Sequence, residues 1–128
     1  MPNLTLERTL TQPEFGLFAQ VSGDNNPIHV DPDFSARTRF GRTVSHGMLL
    51  YTVLWGMVQR LYPGATQAGQ ALMFPNPAYA GEPLRFEVTE IASEDDTRRL
   101  TTRVSRIADG AVTLDGETVI RPARESMP

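Results

Sequence analysis

His46-Gly47-Met48-Leu49-Leu50-Tyr51-Thr52-Val53-Leu54-Trp55-Gly56-Met57-Val58-Gln59-Arg60-Leu61-Tyr62 decides the fold. Wound at the helical period, this stretch carries apolar side chains nearly all round, and a helix of that kind is buried on most of its sides. Ser45 stands before it as a candidate cap, and Pro63-Gly64 supplies the stop. At about 1.5 Å per residue it runs roughly 25 Å. It also contains Gln59 and Arg60, so it falls short of the ~20 apolar residues that a membrane span needs. The remainder of the chain must wrap it.

Beyond Pro63 the apolar period changes from helical to alternating. Leu84, Phe86 and Val88 share one face, as do Leu100, Thr102 and Val104, and then Val112, Leu114, Thr118 and Ile120. These are predicted strands. The turn signals Glu94-Asp95-Asp96 and Asp109-Gly110 are short enough to join them as antiparallel hairpins. A sheet with one apolar face needs a cover, and the long helix is the element with enough apolar surface to supply it. The expected class is α+β: an antiparallel sheet wrapped around one long central helix. With no repeat, low-complexity tract or linker in view, residues 1–128 are read as one domain.

Upstream, a first strand is predicted from Asn3 to Leu10. Thr11-Gln12-Pro13-Glu14 then has the spacing of a capping box with proline in the first turn. The helix that follows is expected to turn Phe15, Phe18, Ala19 and Val21 inward and to end at Gly23. Asp31-Pro32 repeats the start signal for a short helix to about Thr38.

Composition removes several classes of function. No residue is cysteine, which excludes disulfides, thiolate zinc sites and cysteine nucleophiles, and points to an intracellular, cytoplasmic setting. The opening MPNLTLERTL lacks the apolar core of a secretory signal. All 12 basic residues are arginine, so no lysine is present to form a Schiff base. A net charge of −3 with scattered arginines gives no basic stripe for nucleic acid, and no segment suits a membrane. Gly-x-Gly-x-x-Gly and Walker-type runs are absent.

Chemistry is concentrated in Ser22-Gly23-Asp24-Asn25-Asn26-Pro27-Ile28-His29. Asx-Pro pushes the backbone out of helix, so Asp24 and His29 are expected to project from one loop as an acid/base pair able to grip a single water. The plainer alternatives are a turn aspartate and a structural histidine. Asn26 either shapes the loop or touches substrate. Gly47 falls in the first turn of the core helix, where free N–H groups and the positive dipole end face outward. Helix N-termini disfavour a charged imidazole, so His46 is expected to be neutral. With the two histidines 17 positions apart and no paired ligand spacing, no metal site is expected.

Three segments carry a resemblance: Phe18 to His29, Ser45-His46-Gly47-Met48-Leu49, and Phe74-Pro75-Asn76-Pro77-Ala78-Tyr79-Ala80-Gly81-Glu82. On them the chain resembles the MaoC-like dehydratases and (R)-specific enoyl-CoA hydratases, which have the hot-dog fold. The resemblance implies reversible syn addition of water to a trans-2-enoyl thioester, giving the R-3-hydroxyacyl thioester. It implies that Asp24 and His29 hold the water and that the Gly47 N–H binds the thioester oxygen. Ser45 and His46 would lie near the substrate. Packing is the commoner role for Tyr51 and Trp55 on the core helix, yet the acyl chain of this fold runs beside that helix, where the bulky Trp55 would shorten its tunnel. No cofactor is implied; coenzyme A enters as part of the substrate, with acyl carrier protein as an alternative carrier. A homodimer, or a dimer of dimers, would close the site. Arg37, Arg39 and Arg42 follow the loop, and both contact with coenzyme A phosphates and simple solvation are open to them. Family members often carry proline where Thr43 stands. Other readings of the same fold are a carrier-protein dehydratase, a thioesterase and a non-catalytic partner subunit. Thioesterases of this fold place a carboxylate on the long helix, and His46–Tyr62 contains none.

Overall fold

A computed structural model describes residues 2–124. The chain runs β1 (Asn3–Thr9), α1 (Gln12–Ser22), α2 (Pro27–Val30), α3 (Pro32–Ala36), α4 (Gly47–Leu61), β2 (Thr66–Met73), β3 (Pro83–Glu94), β4 (Thr97–Arg106) and β5 (Val112–Arg121). All five strands form one sheet in the order β1-β3-β4-β5-β2, with every neighbouring pair antiparallel. The three alternating segments make the expected meander β3-β4-β5. Their inward residues Leu84, Phe86, Val88, Leu100, Thr102, Val104, Leu114, Thr118 and Ile120 are fully buried.

The sheet packs on α4, whose Leu49, Leu50, Leu54, Met57 and Val58 join the inward strand residues in a single core cluster. A contiguous apolar core of this kind is the main favourable term for folding. The helix is not buried all round, however: Met48, Thr52 and Gly56 lie four residues apart along one exposed stripe. Among the described residues no helix is long and apolar enough to cross a membrane.

Local signals place the shorter elements. Thr11 and Glu14 form a reciprocal capping box for α1, and Gly23 closes it in the left-handed conformation at φ 82°. Phe15 and Ala19 are buried, but Val21 is 79% exposed, against expectation. Two residues past Ala19, it has rotated about 200° to the opposite face of the helix. The second short helix stops at Ala36 rather than Thr38. Ser45 does not cap α4: His46 occupies the N-cap position, with no side-chain capping bond, and the Ser45 hydroxyl turns back to the His46 carbonyl.

Two elements escape sequence reading. The segment expected to be an open loop winds one helical turn, α2, because Pro27 sits at its first position, where a missing N–H costs nothing. The Asn26 side chain caps that turn by accepting from the Ile28 N–H at 3.1 Å. Strand β2 also lacks a signal: Thr66-Gln67-Ala68-Gly69-Gln70 has no apolar alternation. It forms the sheet edge, mostly exposed, held by pairing with β5 across a register shift between Gln67 and Gly69.

Candidate active site

α1 ends at Gly23 and releases Asp24 into a tight link, where its backbone N–H donates to Ser22 Oγ and its Oδ1 accepts from the Asn26 N–H at 3.4 Å. One turn later α2 carries His29 inward, 8% exposed. His29 Nδ1 lies 2.7 Å from the Val44 carbonyl oxygen. A carbonyl only accepts, so Nδ1 bears the hydrogen and Nε2 presents a lone pair. That lone pair faces Asp24 Oδ2 across 3.8 Å. The gap is too long for a direct hydrogen bond, yet a water oxygen can sit about 2.8 Å from both atoms. With both groups accepting, such a water gives each a hydrogen and keeps its own lone pairs for attack.

The Val44 carbonyl is itself fixed. Val44 N–H donates to Ile28 O at 2.9 Å, Ser45 N–H donates to Ala78 O at 2.7 Å, and Val44 pairs with Tyr79 in an isolated bridge. Gln12 adds a clamp from α1, donating to His29 O at 2.8 Å and accepting from the buried Thr43 hydroxyl. Thr43 therefore supplies a bond that a proline there would lack. Neither Gln12 nor Thr43 stood out in sequence, because a polar residue carries no mark of its tertiary partner.

His46 lies against this pair. Its ring stacks on His29 with centroids 3.9 Å apart and meets Phe18 edge-on at 4.9 Å. His46 Nε2 donates to the Asp24 carbonyl at 2.8 Å, leaving Nδ1 buried with no hydrogen-bond partner among the described residues. Burial, reinforced by neighbouring His29, holds the His46 pKa below the ordinary histidine value against the opposing pull of Asp24. The imidazole is thus a neutral strut that pins the backbone of the Asp24 turn.

Asp24, His29, Ser45, His46 and Gly47 line one cleft of about 530 Å³. Gly47 is the first residue of α4, where the N–H has no acceptor within the helix. Phe74, at the end of β2, also lines the cleft. Its ring is seated on Gly47, so that a Cβ built there would lie 2.6 Å from the ring. Phe74 belongs to a segment singled out in sequence, but nothing in sequence placed it opposite Gly47.

Tyr51, Trp55 and Asn26, each open in sequence to a structural role or a substrate contact, stand outside the cleft. Tyr51 is directed at the sheet, where its hydroxyl bonds Gln67 and Thr118, and Trp55 packs against the core cluster. Both follow Gly47 by one or two turns, which carries them down the helix away from the cleft. Asn26, a cap for α2, is likewise absent from the cleft lining. The argument from sequence distance about metals also fails, since ligand atoms of Asp24, His29 and His46 come within 4.8 Å of one another.

Comparisons with known proteins place the chain in a family. The family model described as MaoC like domain matches residues 1–112. An (R)-specific enoyl-CoA hydratase of Aeromonas caviae is 37% identical over 84% of this chain and 83% of its own. A 3-hydroxybutyryl-CoA dehydratase of Methylorubrum extorquens is 34% identical over 94% of this chain and 78% of its own. Among solved structures, the (R)-hydratase from A. caviae superimposes with a TM-score of 0.90 at 32% identity, covering 95% of both chains. The R-hydratase PhaJ1 of Pseudomonas aeruginosa does so at 0.88 and 31%, covering 94% of this chain and 79% of that one. On that match, and with one antiparallel sheet wrapped around a long helix, the chain has the hot-dog fold and belongs to the MaoC-like family.

Proposed function

We propose that this chain, as a single domain over residues 1–128, catalyses the reversible hydration of trans-2-enoyl-CoA thioesters to (R)-3-hydroxyacyl-CoA thioesters, a hydro-lyase activity. The observation that carries the reading is the 3.8 Å gap between Asp24 Oδ2 and His29 Nε2 in the cleft that also exposes the start of α4. A water held there loses one proton to this pair as its oxygen bonds C3 of the enoyl group. Electron density moves to the thioester oxygen, and a proton returned from the same pair to C2 completes syn addition. The Gly47 N–H donates to the oxygen while it is enolate-like; one such donor is typically worth about 3 kcal/mol of barrier. Ser45 and His46 line the same cleft and act as its wall and support.

No separate cofactor takes part, because adding water changes no oxidation state in sum and the acid, base and hydrogen-bond donor are all side chains or backbone. The R stereochemistry and the coenzyme A carrier are taken from the hydratases to which the chain is similar. We further propose a homodimer working in the cytoplasm. Met48 and Phe74 are exposed apolar residues lining the cleft, and exposed Met73 ends the edge strand β2, where a second sheet can pair.

The test is the decay of enoyl absorbance with crotonyl-CoA, run beside a free-thiol assay and followed by chiral analysis. Loss of the chromophore without thiol release, giving the R alcohol, is the expected result. Thiol release, or an S product, overturns the reading.

A further inference from the structure

Sequence left three arginines equivalent after the acid/base segment: Arg37, Arg39 and Arg42. The structure separates them. Arg42 is consumed, its guanidinium bonded to Glu82 at 2.9 Å and lying 3.9 Å over the Tyr79 ring. Arg37 stands outside the cleft. Arg39 lines the cleft beside Phe40, with its guanidinium carbon 4.7 Å from that ring.

Eight arginines of the described chain lie within 4.0 Å of a carboxylate. Arg39 is not one of them, and no other arginine lines the cleft. Contact with an aromatic face spends none of the guanidinium N–H donors, which therefore stay available for bidentate capture of phosphate. The backbone beneath is ordered by the bonds Phe40 N–H to Thr38 Oγ1 at 3.3 Å and Gly41 N–H to Thr38 O at 3.1 Å. One arginine without a carboxylate partner, in the cleft that also holds Asp24 and His29 and in a chain of net charge −3, matches a small polyanion better than the acidic surface of a carrier protein, which calls for a spread of positive charge.

We propose that Arg39 is the phosphate-recognition residue of this site, binding the nucleotide phosphates of coenzyme A and selecting coenzyme A thioesters over the same acyl group on a phosphate-free or protein carrier. The inference rests on the hydratase reading for its substrate, but its test does not depend on turnover alone. Arg39→Met keeps the apolar stem and removes the fork; Arg37→Met is the control for a general loss of charge.

Two measurements are made on both variants and the unaltered protein: kcat/KM for crotonyl-CoA and for crotonyl-pantetheine, and calorimetric binding of free coenzyme A and adenosine 3′,5′-bisphosphate. Losing one charge-assisted phosphate contact is expected to raise KM for crotonyl-CoA and the Kd of both nucleotides roughly tenfold in Arg39→Met. kcat and the pantetheine reaction stay within about twofold, and Arg37→Met resembles the unaltered protein. The effect should shrink as salt screens the contact. Nucleotide binding that does not change in Arg39→Met overturns the proposal, as does an equal loss on both thioesters. So does a marked preference of the unaltered protein for crotonyl-pantetheine over crotonyl-CoA. If neither thioester is hydrated but nucleotide binding still depends on Arg39, the hydratase reading fails and the phosphate site stands.

Discussion

Substituting Gly47 with alanine is the most direct way to strike the cleft without removing a polar group. A Cβ at Gly47 would lie 2.6 and 2.7 Å from Cε1 and Cζ of Phe74, whereas carbon atoms at optimal contact stand about 3.5–4.0 Å apart. The ring must therefore retreat by about 1 Å. Because Phe74 is 47% exposed, it can do so without tearing the core, and alanine lowers the entropy of the unfolded chain by an amount worth up to about 1 kcal/mol. The two effects offset, so urea unfolding of Gly47→Ala should stay within about 1 kcal/mol of the unaltered protein. Activity has no such compensation. The displaced ring and the new methyl group share the space beside the Gly47 N–H, and a misplacement of about 1 Å at a reacting centre costs on the order of 100-fold. The assay is kcat/KM for crotonyl-CoA in Gly47→Ala, Phe74→Ala and the double variant. If the ring transmits the damage, removing it recovers most of the loss relative to Phe74→Ala alone, a coupling expected of side chains in contact. An unaltered rate in Gly47→Ala would refute the reasoning, as would an identical loss with and without Phe74.

Three further outcomes are expected. Asp24→Asn and His29→Ala should each reduce kcat/KM by roughly 10³-fold, and the double variant by little more, because the two groups act on one water; the Asp24 side chain is 56% exposed, so circular dichroism and urea midpoints of Asp24→Asn should be unchanged, and additive losses would place the groups on different steps. His46 has a pKa held below its ordinary value by burial, so the unfolded chain takes up its proton first as pH falls. Its contribution to stability is complete above about pH 6.5 and is lost as pH drops through the folded pKa, and urea unfolding at pH 7.5 and 5.5 should show a smaller acid loss in His46→Gln than in the unaltered protein; equal losses would remove His46 from the account. Glu82 is 14% exposed in its side chain and lies between Arg42 and Arg106; because Arg106 keeps Asp109 and the Pro77 carbonyl and Arg42 is half exposed, Glu82→Ala should lower unfolding stability by only about 1 kcal/mol, and a loss above about 3 kcal/mol would show that both guanidinium groups depend on it.

How legible the chain was depended on whether a residue's role is local or tertiary. The capping box at Thr11 and the stop at Gly23 act within a few residues, and both elements formed where the pattern placed them. The meander was legible because alternation over Leu84–Val88 and Leu100–Val104 is strong and both turns carry their own chemistry. Strand β2 was invisible for the converse reason. Its residues are polar and exposed, and what makes it a strand is the backbone of β5, which no local pattern encodes. Val21 failed for a third reason: it is apolar, but it lies on the face of α1 opposite the buried Ala19.

The cleft divides along the same line. Asp24 and His29 were legible as a pair because they are close in sequence and flank a chain-reversing proline. What sequence could not supply is the direction each ring nitrogen faces, and on that the chemistry turns. His29 has its proton assigned by a carbonyl from Val44, fifteen residues away, and that carbonyl is held by the bridge to Tyr79. His46 in turn holds the backbone of Asp24 while its stacked ring covers the other face of His29. Each link is a backbone oxygen accepting from an imidazole N–H, so the protonation pattern of both rings is written in main-chain geometry rather than in residue identity. A chain with the same residues but a shifted 43–45 segment would keep every sequence motif and lose the lone pair that faces the water.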